Sequence, residues 1–201
     1  MPIVCLDLEG VLVPEIWIEL ATLTGIDELR ATTRDVADYD ELMRFRLRVL
    51  EREGLGLPDI ERAVARMAPL EGATDFLARL RERYQVVILS DTFYEFARPL
   101  MRQLQWPTLF CHGLAVDSNG RITDYRLRLG DHKRKSVAAF RDLNFLTVAA
   151  GDSYNDTAML GEADGGVLFQ PPQAVADEFP EFPVASDHRQ LEQAIRGVLE
   201  G

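Results

Sequence analysis

The chain has 201 residues, of which 47% are hydrophobic, and carries a formal net charge of −11. That length suits one well-packed domain, or one domain with a smaller insert, and the composition excludes a disordered chain. The densest basic run is only His132-Lys133-Arg134-Lys135, so no nucleic-acid partner is expected, and an anionic ligand would need a local device such as a metal ion, a lysine or backbone amides.

Residues 3–6 are a short apolar run, read as a buried parallel strand that meets Asp7 and the turn residue Gly10. From Glu15 to about Ala68 the periodicity is helical. Ile16, Leu20 and Leu23 make one stripe ended near Gly25, and Leu42, Phe45, Val49 and Leu50 make a second ended at Gly54. Asp59 reads as the N-cap of a third helix carrying Ile60, Val64 and Met67. Another helix carries Phe76, Leu77 and Leu80. Residues 85–89 form a second buried strand, ending at Ser90-Asp91-Thr92, with a helix through Phe93, Phe96 and Leu100 that Pro99 should kink or split. Residues 108–111 are a third strand, and residues 114–116 and 122–127 flank the hairpin signal Asp117-Ser118-Asn119-Gly120. A helix over 133–143, strands over 145–150 and 166–169, and a closing helix over 192–199 complete the pass.

Apolar strands alternating with helices predict an α/β fold, a three-layer doubly wound parallel sheet with a small helical insert. The expected division is a core of residues 1–13 and 71–201 and a helical cap of residues 14–70. No stretch approaches the roughly 18 apolar residues of a membrane span, so no membrane partner is expected. The first residues lack the pattern of a signal peptide, and Cys5 and Cys111 read as buried free thiols, so a cytoplasmic location is expected. The sequence is compatible with a homodimer but does not fix the oligomeric state.

In open α/β sheets the ligand site lies outside the carboxyl ends of the strands. Three strands here end in polar clusters: Asp7-Leu8-Glu9, Ser90-Asp91-Thr92 and Gly151-Asp152-Ser153-Tyr154-Asn155-Asp156. Each alone has an ordinary reading as a turn or helix cap. Together they bring Asp7, Glu9, Asp152 and Asp156 into one crevice, where unpaired carboxylates would lift one another's pKa values. A hard divalent cation such as Mg2+ resolves that repulsion. Lys133 supplies a second positive charge, with Lys135 as its rival. Ser90 and the amides after it would bind phosphate oxygens at a helix start. The set suits a phosphoryl group held between metal and lysine and attacked by a carboxylate.

In that order, Asp7-Leu8-Glu9-Gly10-Val11-Leu12, Ser90, Lys133 and Gly151-Asp152-Ser153-Tyr154-Asn155-Asp156 resemble the four motifs of the haloacid dehalogenase superfamily of phosphatases. The resemblance implies that Asp7 is a nucleophile forming an aspartyl-phosphate. It implies that Asp7, Asp152 and the Glu9 carbonyl hold Mg2+ with Asp156 in support, and that Ser90, Lys133 and Asn155 bind phosphate. One departure is Glu9, where these phosphatases usually carry Asp as the acid that protonates the leaving group and then activates water. The extra methylene displaces the carboxylate by roughly 1.5 Å, which favours a longer-lived intermediate open to another hydroxyl acceptor.

The helical insert is similar to the cap of phosphoserine phosphatases, in which a glutamate binds the substrate amino group and an arginine its carboxylate. Glu15 and Arg46 hold the corresponding places, although Arg44, Arg46 and Arg48 also read as a solvated helix face. The segments Asp7 to Glu15, Ser90 to Phe96 and Gly151 to Asp156 resemble a branch with phosphoserine phosphatase and phosphoserine:homoserine phosphotransferase activity. Phosphoserine and homoserine are therefore the expected small-molecule partners. A phosphatase for another small metabolite and a non-catalytic binding protein with a degenerate site are the alternatives.

Overall fold

In a computed structural model, which describes residues 1–32, 35, 36 and 38–201, the apolar run after Met1 forms β1 (Pro2–Leu6). Val4, Cys5 and Leu6 have no exposed surface. A strand apolar on both sides of its pleat is stable only where both faces are covered. The remaining strands are β2 (Gln85–Phe93), β3 (Thr108–Val116), β4 (Ile122–Arg126), β5 (Leu146–Gly151), β6 (Gly165–Phe169) and β7 (Val184–Ala185). They form one sheet of order β4-β3-β2-β1-β5-β6-β7, parallel except for the edge strand β4, which runs antiparallel to β3. β1 is paired with β2 on one side and β5 on the other. The strand order reverses direction there, so the ends of these three strands open onto a common crevice.

The helices are α1 (Ile16–Thr24), α2 (Tyr39–Arg52), α3 (Leu57–Val64), α4 (Ala73–Arg81), α5 (Tyr94–Gln103), α6 (His132–Asp142), α7 (Tyr154–Glu162), α8 (Gln173–Glu178) and α9 (His188–Leu199). Side chains alternate across β1. Val4 and Leu6 enter the larger core, which holds residues of α4, α5 and α9, whereas Ile3 and Cys5 face a second core with Val137 of α6, Met159 of α7 and Val175 of α8. Ile16, Leu20, Met43 and Ile60 of the helical insert share the larger core with Phe93 and Phe96, and Trp17 meets Phe96 edge-on at 5.3 Å. The insert therefore sits on α5. Among the described residues no helix is long and apolar enough to cross a membrane.

Several boundaries differ from the sequence reading. α3 starts at Leu57 behind Gly56, and Asp59 lies inside the first turn, where its carboxylate accepts from the Gly56 N–H at 2.9 Å. β2 runs on to Phe93 through an irregularity in its pairing with β3, so Ser90-Asp91-Thr92 is the bulged end of a strand and not a helix start. The Ser90 hydroxyl accepts from the Thr92 N–H at 3.2 Å. α5 passes through Pro99 unbroken, its apolar face held by Phe96, Ala97, Leu100 and Met101. The expected segments 108–111 and 114–116 are parts of one continuous β3. α9 begins at His188, a turn early, because Asp187 accepts from the Gln190 N–H at 2.7 Å. The sequence reading did not include α7, α8 or β7. β7, with two residues, is too short to carry a period.

His188 fastens the two ends of the insert to the sheet. Its ring lies between Phe76 and Phe169, with centroids 5.1 and 4.7 Å away. Its nitrogens face the carbonyl oxygens of Glu71 at 3.0 Å and Val11 at 2.8 Å.

Candidate active site

The chain leaves β1 at Asp7, whose N–H bonds the Ala150 carbonyl of β5 at 2.9 Å and whose Oδ1 accepts from the Leu8 N–H at 2.7 Å. The loop then turns at Gly10, with φ at +76°. A Cβ at Gly10 would stand 2.4 Å from Cγ of Asp152, and one at Gly151 would stand 2.2 Å from Cγ of Asp156. Only glycine lets these two loops close around the acidic side chains.

Lys133, in the first turn of α6, joins the motifs. Its buried Nζ lies 2.9 Å from Asp156 Oδ1, 3.0 Å from Asp7 Oδ1 and 3.4 Å from Asp91 Oδ2. Lys135, its rival in the sequence, is exposed. The other Asp156 oxygen accepts from the N–H groups of Asp152 at 3.0 Å and Ser153 at 3.2 Å. Asp156 is fully buried and holds the last motif in shape as well as the lysine.

A cavity of about 330 Å³ opens over this group. Asp7, Ser90 and Asp152 line it from the strand ends, Lys133 and Asn155 from the first turns of α6 and α7, and Glu9, Glu15 and Arg46 from the loop and the insert. The structure thus gathers every site residue expected from the sequence into or against one pocket. The Glu9 carboxyl points to the start of α1 and accepts from the Ile16 N–H at 2.8 Å. Arg46 is buried rather than part of a solvated face. Its guanidinium lies 4.5 Å from the centroid of the Trp17 ring, Nη2 donates to the Ala31 carbonyl at 2.8 Å, and among the described residues Nε has no hydrogen-bond partner.

Electrostatics follow from this crowding. Burial and the Asp156 charge push Asp7 well above the usual carboxylate range, against the pull of Lys133. Burial, then Asp156 and Glu15, raise Asp152 to about 7. Burial and the Glu15 charge raise Glu9 to about 8, opposed by the Ile16 N–H. For Lys133 burial acts downward, but Asp156, Asp7 and Asp91 outweigh it and hold the ammonium well above its ordinary value. Burial lowers Arg46 to about 10. Oxygens of Asp7, Asp152 and Asp156 lie within 4.8 Å of one another. Carboxylates so close, two of them with raised pKa values, are short of positive charge, and a hard oxygen-seeking cation fits that deficit.

Four residues of this region are given no role in the site by the sequence alone. Asp91 lines the pocket beside Lys133, and buried His112 and His132 back it. Tyr39 of α2 donates its hydroxyl to the Asp91 carbonyl at 3.2 Å, tying the insert to the end of β2. The available signals were an acid directly after Ser90 and a histidine directly before Lys133.

Comparison with known proteins agrees with the geometry. The phosphoserine phosphatase ThrH of Pseudomonas aeruginosa is 58% identical over 193 residues, 96% of this chain and 94% of that protein. A phosphoserine phosphatase of Pseudomonas syringae pv. tomato is 59% identical over 191 residues, 95% of this chain and 81% of that one. A solved substrate-bound phosphoserine phosphatase complex shares the fold with a TM-score of 0.78 at 21% identity, over 96% of this chain and 97% of that chain. The family model for haloacid dehalogenase-like hydrolases matches residues 9–161. With its four motifs closed around Lys133, the chain belongs to the haloacid dehalogenase-like hydrolase family.

Proposed function

We propose that this protein hydrolyses phosphoserine through an aspartyl-phosphate at Asp7 and also passes the phosphoryl group to homoserine. The observation that carries the reading is the pairing of two unlike halves in one pocket. Asp7, Ser90 and Lys133 converge at the strand ends, and Glu15 with Arg46 faces them from the insert. A zwitterionic amino acid needs one anion and one forked cation, and Arg46 has a buried N–H still to be satisfied. The similarity to two proteins named phosphoserine phosphatase supports the same substrate.

Asp7, Asp152 and the Glu9 carbonyl would hold Mg2+, with Asp156 in support. When bound, the ion supplies positive charge against the phosphoryl oxygens. Lys133, Ser90 and Asn155 orient those oxygens. An Asp7 oxygen attacks phosphorus as the bond to the serine oxygen breaks, and the Glu9 carboxyl, with its raised pKa, gives that oxygen its proton. Glu9 then takes a proton from the incoming hydroxyl, which attacks phosphorus and frees Asp7. Water gives phosphate and homoserine gives phosphohomoserine. A pocket distinguishes one methylene by only about 1–3 kcal/mol, so serine and homoserine fit one site.

We further infer that residues 14–70 act as a cap on a core of residues 1–13 and 71–201. The amino-acid contacts come from the first segment and the phosphoryl contacts from the second. The deciding experiment is phosphate release from L-phosphoserine with Mg2+, with and without L-homoserine, while phosphohomoserine is assayed. Homoserine-dependent phosphohomoserine supports both activities, and phosphate alone removes the transferase. Neither product overturns the substrate assignment.

A further inference from the structure

The cluster of Asp91, His112 and His132 next to the phosphoryl site is not explained by the reaction above. The composition would suit a divalent cation, since one atom from each side chain lies within 4.8 Å of the others. The hydrogen bonding argues otherwise. His112 Nδ1 accepts from the Arg128 backbone N–H at 3.2 Å, which places the ring proton on Nε2, the atom facing Asp91 Oδ1 at 3.4 Å. A nitrogen carrying a proton is no metal ligand, so His112 turns no donor atom toward a cation here, and the other Asp91 oxygen faces Lys133 Nζ at 3.4 Å. His132 Nε2 lies 3.3 Å from the same Asp91 oxygen, and its ring meets that of His112 with centroids 4.7 Å apart. The histidines therefore hold a carboxylate, and the carboxylate faces the lysine.

An ammonium has three N–H donors, and Lys133 has three carboxylates around it. Two of these partners are confined: the side chains of Asp7 and Asp156 are 7% and 0% exposed. Asp91 differs, with a side chain 36% exposed to the pocket and the longest of the three distances. An arriving phosphoryl oxygen must take one N–H from Lys133, and Asp91 is the partner that can release it without unmaking a buried pair. The two histidines and the Tyr39 hydroxyl on its backbone carbonyl then keep its charge in place beside the phosphoryl group.

We propose that Asp91 is the release residue of the phosphoryl site: it occupies the third N–H of Lys133, yields it to an incoming phosphoryl oxygen, and by its fixed negative charge prevents tight retention of inorganic phosphate. The inference rests on the reading of Asp7 and Lys133 as the phosphoryl site. Asp91 is a positioning residue, acting through Lys133 and through like-charge repulsion.

The test is titration of the whole protein with inorganic phosphate in Mg2+ by calorimetry, alongside phosphate inhibition of phosphoserine turnover. Asp91→Asn keeps the shape and an oxygen for His112 but removes the charge. It should bind phosphate about tenfold more tightly and turn over more slowly. A purely structural role predicts the opposite, weaker binding in a less stable protein. Asp91→Ser, smaller and also neutral, should shift phosphate binding in the same direction and covers the case in which the asparagine variant misfolds. Phosphate affinity unchanged or weakened in the folded variants, with a wild type that binds phosphate, overturns this inference alone. A wild type that neither cleaves phosphoserine nor responds to phosphate overturns the phosphoryl-site reading and this inference with it.

Discussion

Asp152→Asn should stabilise the metal-free protein, and more so as the pH rises. Asp152 has its pKa raised from 3.8 to about 7 by burial and the charges of Asp156 and Glu15. Between those values the folded protein retains a proton that the unfolded chain has lost. This group's contribution to stability is therefore full below the unfolded value and is lost as the pH rises through the folded one. From pH 5 to pH 8.5 the wild type crosses about 2 units of that window, worth roughly 2.7 kcal/mol at 1.36 kcal/mol per unit. Solvent screening in the open pocket lowers the expected change to about 1–2.5 kcal/mol. Asparagine does not titrate, so the stability advantage of the variant should grow by that amount across the range. Urea denaturation of both proteins in chelator at the two pH values measures it. Mg2+ should then restore the wild type at pH 8.5, by about 2.7 kcal/mol at a hundredfold excess over its Kd, and the variant by less. A pH-independent difference between the two proteins would refute the electrostatic account.

Asp156→Asn acts in the other direction. It breaks a fully buried pair with Lys133, and an amide cannot accept from both the lysine and the loop N–H groups. It should cost about 3 kcal/mol, or roughly 6–12 °C in Tm for a chain of this size, and a loss below about 1 kcal/mol would sink the idea. Arg46→Lys keeps the charge but loses the planar fork over Trp17, so KM for phosphoserine should rise about tenfold while kcat changes less, and an unchanged KM would remove Arg46 from substrate binding. Glu9→Asp gives up the bond to the Ile16 N–H and should raise phosphate release relative to phosphohomoserine, whereas an unaltered product ratio would dismiss the chain-length argument. His188→Ala loses both carbonyl contacts and the packing between Phe76 and Phe169, for an expected loss of about 2–4 kcal/mol by chemical denaturation.

The sheet and the phosphoryl motifs were legible because both rest on local patterns. β1, β2 and β5 are apolar runs ended by acids or serine, and a buried parallel strand leaves that mark in any sequence. Ends and short elements were not. α9 starts a turn early through the Asp187 side chain, and α5 tolerates Pro99 because one buried face secures it. The Asp91 cluster was hidden for a different reason. Its members lie on β2, β3 and α6, and no spacing along the chain shows that two histidines meet one aspartate. Likewise Arg46 looked like one of three arginines on a helix, and only packing against Trp17 separates it from Arg44 and Arg48.

The charges around Lys133 explain why the site needs more than a lysine. Asp7, Asp91, Asp152 and Asp156 surround a single ammonium, and a phosphoryl group would add further negative charge. Lys133 cannot offset both, since its three N–H donors already face three carboxylates. The raised pKa values of Asp7 and Asp152 reflect that shortage of positive charge, and the attack proposed for Asp7 requires its ionised form, which burial and the Asp156 charge disfavour. A divalent cation bound by these oxygens would favour the ionised form of Asp7 and offset the charge of a phosphoryl group. Under the proposed function, cation binding would thereby also ready Asp7 for attack. Proton release on adding Mg2+ to the protein in weakly buffered solution near pH 7 should therefore accompany binding, and its absence would mean that Asp7 and Asp152 are already ionised and that the crowding argument fails.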